Sequence, residues 1–169
     1  MQFDPGLLLL SLAPIFVLTV AWEAWYWHGK RPMYSWRDTL SNASLALMHQ
    51  GADALVLWLF VKTVYTWCYQ HGLKAIPDAW WSVPLLFLLQ DFLYYWFHRA
   101  SHRIRWMWAS HVVHHSSERL NFSTAFRQSL TYPISGMWVF WLPLAWIGFE
   151  PKHIVAVVAI NLAFQFFVH

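Results

Sequence analysis

Five apolar runs separated by short polar segments leave this chain few ways to fold. The first reads LLLLSLAPIFVLTVAW. About 20 apolar residues in a helix, rising 1.5 Å each, cover the roughly 30 Å hydrocarbon core of a bilayer. Backbone polar groups in that core must pair within their own segment, which selects helices. The composition agrees: 11 % of residues are charged and 59 % hydrophobic, against about 25 % charged in an average soluble domain. Spans are expected over about 5–27, 39–69, 79–97, 130–149 and 153–168. Many of the 14 tryptophans stand near the ends of these runs, as in an interfacial belt. The pattern predicts an all-α fold: an integral membrane helical bundle of four to five transmembrane helices, with residues 1–169 as a single domain. Cys68 alone excludes an internal disulfide. The first run lacks a basic leader and a small-residue cleavage site, so it is expected to stay as a span.

The loops set the orientation. Segment 28–38 carries Lys30, Arg31 and Arg37. Segment 98–127 carries Arg99, Arg103, Arg105, Arg119 and Arg127 against Glu118. Segments 70–78 and 150–152 carry one lysine each, Lys74 and Lys152. Basic loops stay on the cytoplasmic side, which predicts a multi-pass protein with 28–38 and 98–127 inside.

Segment 98–127 also holds a cluster of histidines. His98, His102, His111, His114 and His115 fall within 18 residues, where an even scatter of the chain's ten would put about one. His98 and His102 are four apart, and His111, His114 and His115 three and four apart. Residues at that spacing share a helix face, so their imidazoles can reach a common ion at about 2.0–2.1 Å. Imidazoles point to a transition metal, whereas calcium and magnesium take oxygen ligands that are scarce here. The expected architecture is therefore a bundle under a cytosolic histidine-rich metal cap.

Other polar residues have two readings each. Asp91, seven residues before His98, is placed to accept a hydrogen bond from a ligand's other ring nitrogen or from a tyrosine, or to hold helices together. Glu118 is placed to orient a ring N–H or to pair with an arginine. His49 and Asp53, four apart in the second run, are expected to be a packing pair. Phe92, Tyr94, Tyr95, Trp96 and Phe97 either line a tunnel or anchor the third helix at the interface.

The text DFLYYWFHR…H…W…HVVHHSSERLNFSTAFRQS, with an H-x3-H box and an H-x2-H-H box after an apolar helix, resembles the fatty acid hydroxylase or sterol desaturase superfamily of membrane di-iron enzymes. Within it, the text is most similar to the alkylglycerol monooxygenase-like branch. The similarity is close over 91–129 and looser up to the QFFVH ending. It implies a four-helix transmembrane core, a pair of iron ions held by histidines, O2 as co-substrate, a hydroxylated or desaturated lipid as product, and an external electron donor, either a protein or a small reductant. Carried over position by position, His98 and His102 form the first box and His111, His114 and His115 the second. His169 matches an isolated histidine after Q-F and is a further ligand candidate. The family's third box, H-x2-H-H, does not occur in the sequence, so the resemblance implies a domain incomplete at its C-terminus. Arg103 stands where the branch often carries an acidic residue.

Breaking an aliphatic C–H bond requires an oxidant no side chain supplies, so a redox metal must do so. The bilayer and a lipid are the expected partners; nucleic acid is not. A non-catalytic membrane protein with a structural zinc in its histidine cap is the alternative. A transporter fits less well, because the histidines gather in one loop instead of along several spans.

Overall fold

The computed structural model describes residues 5–77 and 79–168. The regular elements among them are helices. Helix α1 is Pro5–Trp27, with Pro14 inside it. Helix α2 is Trp36–His71, and its middle, Leu57–Tyr65, winds as a π-helix. Helices α3, Ser82–Ser101, and α4, Arg105–His111, carry the histidine region. The short α5, Leu142–Ile147, precedes α6, Pro151–Val168. Tight 3-10 turns form at His114–Ser116, Phe122–Phe126 and Met137–Val139. His169, one of the expected ligands, and Asp78 lie outside the described residues.

Helix α6 packs on both α1 and α3. Phe16 of α1 meets Phe166 of α6 at a centroid distance of 4.6 Å. Asn161 Nδ2 of α6 donates to Asp91 Oδ1 of α3 at 3.0 Å. The core gathers Tyr65, Leu86, Phe97, Trp138, Trp141, Leu144 and Ile154, and Tyr65 Oη donates to the carbonyl of Trp138. The outer surface is apolar too. Leu47, Trp58, Leu88 and Phe164 are each more than half exposed, as suits helices whose surroundings are hydrocarbon. Among the described residues, α2 and α6 are long and apolar enough to cross a bilayer.

The expected helix over 130–149 does not form; only α5, six residues long, is α-helical there. Pro133 and Pro143 lack an N–H to continue a helical ladder, and Gly136 at φ +102° turns the chain in a way that a side chain would resist. The segment still runs the length of the bundle. At the histidine end, Ser110 Oγ lies 2.9 Å from Thr131 Oγ1. At the other end, Leu73 N–H donates to Trp146 O at 2.7 Å and Ala75 N–H to Ile147 O at 2.9 Å. Irregular backbone at membrane depth is tolerated where protein buries it, and Met137, Trp138, Trp141, Leu144, Ala145 and Phe149 are all buried.

Candidate metal centre

The last turns of α3 bring His98 to one end of the bundle, and His102 follows directly after Ser101, its N–H bonded to His98 O at 3.2 Å. Ile104 is extended, at ψ 120°, and turns the chain into α4, which ends on His111. The 3-10 turn beyond it carries His114 and His115. This fold-back converts two sequence boxes into one cluster. His102 Nε2 lies 3.2 Å from His98 Nε2, and His115 Nε2 lies 3.1 Å from His111 Nε2. Across the boxes, the His98–His111 and His102–His111 centroids are 4.8 Å apart and the His102–His115 centroids 4.9 Å. One ring nitrogen from each of His98, His102, His111 and His115 lies within 4.8 Å of the others.

These four residues fit a metal ion. Neighbouring ligand atoms at about 2.0–2.1 Å from an ion sit about 3.0–3.4 Å from each other, the spacing found within each box. Without a cation, each close Nε2 pair would be held only by an N–H···N hydrogen bond between neutral rings, whereas a cation would take a lone pair from all four rings at once. The electrostatics favour the metal-binding form. Burial, and then the neighbouring imidazoles of His98, His115, His102 and His114, push His111 down to about 3. Burial and then His102 also lower His115. Both rings are therefore neutral at pH 7, with lone pairs to give.

His114 stands beside this group rather than in it. Its ring is 5.3 Å from His115 and 5.9 Å from His111, and its Nδ1 donates to Arg127 O at 3.2 Å. That bond fixes the tautomer, placing the lone pair on Nε2. Arg127, a position for which the sequence suggests no task, is itself held: Nε donates to Ser116 Oγ at 2.8 Å and Nη1 to the buried Asn42 Oδ1 at 3.1 Å. Asp91 is bonded to Asn161, as a packing contact between α3 and α6. Glu118 is exposed, and the described contacts include no bond from it to a histidine ring or an arginine. His49 and Asp53, read as a packing pair, each bond to another partner and both line the cavity described below. His49 Nδ1 donates to Ser129 O at 3.1 Å and Asp53 Oδ1 accepts from Trp138 Nε1 at 3.0 Å.

Below the cluster lies a cavity of about 450 Å3. His111 and His114 stand on its wall together with Tyr94, Tyr132, Phe126 and Trp141. Of the five aromatics read as tunnel lining or as interfacial anchors, Tyr94 lines the cavity. Phe97 is buried in the core, whereas Phe92, Tyr95 and Trp96 face outward, because a helix turns successive side chains through about 100°. Trp108 and Tyr132 were not signalled by any motif. Trp108 stacks on His115 at 5.9 Å and Tyr132 on His111 at 6.0 Å; Tyr132 arrives through the irregular segment, whose path no periodicity reveals.

The family model for fatty acid hydroxylase matches residues 83–169, just over half of the chain and the part holding the five histidines. Alkylglycerol monooxygenase of Danio rerio is 43 % identical over 134 residues, covering 78 % of this chain and 29 % of that protein. The Homo sapiens protein of that name is 36 % identical over 162 residues, 92 % of this chain and 35 % of its own length. The Xenopus tropicalis one is 34 % identical over 148 residues, 86 % and 32 %. The chain thus spans about a third of the length of the curated relatives it matches. No solved structure matches it significantly. A histidine cluster at the mouth of a largely apolar cavity, the family match that contains it and the lipid monooxygenases to which the chain is similar all agree: this chain belongs to the fatty acid hydroxylase family.

Proposed function

We propose that this chain is the metal-binding and lipid-binding part of a membrane-bound di-iron oxidoreductase that uses O2 to hydroxylate, or desaturate, a lipid. The observation that carries this is the joining of four convergent imidazoles to a cavity of about 450 Å3 through His111. His98, His102, His111 and His115 would hold one iron. His114, with His169, would serve the second. Bound iron with O2 and an external electron donor supplies the oxidant that a C–H bond requires.

The chain's own residues do the rest. Tyr94, Phe126, Tyr132 and Trp141 shape an apolar wall that excludes water and holds an alkyl chain. The carbonyl of Arg127 aims His114. Helices α1, α2, α3 and α6 cross the bilayer, the 130–149 segment makes an interior passage, and the histidines lie on the cytoplasmic side. An alkylglycerol, named for the relatives, is the first substrate to try.

Metal analysis and oxygen-dependent turnover of the protein isolated from membranes test this proposal. About two irons per chain with an oxygenated lipid product are expected, and His111→Ala should abolish both without loss of membrane insertion. One zinc with no oxygen uptake would establish the structural-zinc alternative instead.

A further inference from the structure

Three residues that line the cavity each carry a buried polar atom with no hydrogen-bond partner among the described residues: Gln90 Oε1, Trp141 Nε1 and His111 Nδ1. His111 belongs to the metal centre. Gln90 and Trp141 do not, and both are 1 % exposed. A buried acceptor and a buried donor left without partners each cost about 1–3 kcal/mol, and native folds retain few of them. Both residues face one cavity, so a molecule inside it can satisfy both. The complementary group accepts from the indole N–H and donates to the amide carbonyl, as an alcohol oxygen does. The wall also decides the charge of that group. The lining includes Asp53 and the imidazoles of His49, His111 and His114 but neither Lys nor Arg, so an anionic head held at Gln90 and Trp141 would have no permanently charged side chain to pair with.

We propose that Gln90 and Trp141 are the specificity-determining residues of the cavity, holding the uncharged hydroxyl of a lipid while its alkyl chain fills the remaining apolar space. This inference rests on the lipid-oxidising function and names the residues that select its substrate. Gln90, Tyr94 and His98 stand at intervals of four on α3, so Gln90 is two turns, about 12 Å of helix rise, from the first metal ligand. Substituting it therefore leaves the metal centre in place.

The test is equilibrium binding of radiolabelled 1-O-hexadecylglycerol to the detergent-solubilised protein, with hexadecane and palmitate as competitors. The wild type should prefer hexadecylglycerol to both. Gln90→Leu should weaken hexadecylglycerol about tenfold and leave hexadecane unchanged, and Trp141→Phe, which also trims the apolar wall, should weaken hexadecylglycerol more than hexadecane. Ligand-free Gln90→Leu should melt at the same temperature as the wild type or higher, because an orphaned polar group has been replaced by an apolar one. Equal losses for both ligands in either variant, no loss for either (as when an enclosed water satisfies the pair), or a lowered melting temperature in Gln90→Leu would overturn the assignment. Binding needs no turnover. A protein that discriminates as expected but never oxidises lipid retains this inference and loses the proposed function; one that oxidises lipid while the variants bind normally does the reverse.

Discussion

At the residue scale, His111 joins the two boxes. It ends α4, lies 3 % exposed beneath three other imidazoles and lines the cavity as well. Its depressed pKa has a signed consequence. The unfolded chain takes up a proton near pH 6.5, whereas the folded site resists until about 3. The stability that neutral His111 contributes is thus complete above about pH 6.5 and is lost progressively as the pH falls toward 3. Thermal unfolding of the metal-free protein in detergent at pH 7.5, 6.0 and 5.0 should show a steadily falling midpoint. In His111→Gln, which does not titrate, the fall should be shallower. Identical slopes would mean that the folded ring takes up a proton as readily as the unfolded one. The spacing of His98, His102, His111 and His115 already announces a metal site in the sequence. It does not announce that Ile104 folds the boxes face to face, nor that the Arg127 carbonyl sets His114 apart from the four, because both depend on backbone paths rather than on residue type.

At the scale of elements, the joint between α2 and α5 leaves no room for a side chain. A Cβ built on Gly72 would lie 2.2 Å from Trp146 O and 2.7 Å from Cys68 O, and both are backbone atoms that cannot turn aside. Gly72→Ala should therefore force the Leu73–Trp146 and Ala75–Ile147 hydrogen bonds apart and cost about 1–3 kcal/mol, read as a lower melting midpoint with the metal ligands untouched. An unchanged midpoint would show that the loop moves freely. Periodicity makes α1 and α6 legible because each is a single apolar run. The same logic fails over 130–149, where hydropathy sees a mostly apolar run, fourteen hydrophobic residues in twenty, but Pro133, Gly136 and Pro143 break the ladder. Hydropathy reports that a segment avoids water. It does not distinguish a helix facing lipid from a turn-rich chain wrapped by other helices.

At the scale of the whole molecule, the loop joined to α5 and the histidine cap occupy opposite ends of the bundle, so they should emerge on opposite faces of the membrane. In a Cys68→Ser background, a membrane-impermeant maleimide applied to intact cells should label Lys74→Cys. It should label Arg103→Cys only after permeabilisation. Labelling of both from one side would refute the crossing pattern.

Leu47 of α2 both lines the cavity and is 76 % exposed, so the chamber reaches the surface beside that helix. Under the proposed function, molecules dissolved in the leaflet would enter there without visiting the aqueous phase. Occupancy would then follow their mole fraction among surrounding lipids, and adding inert vesicles at constant total substrate would dilute the reaction as surely as adding buffer dilutes a soluble one.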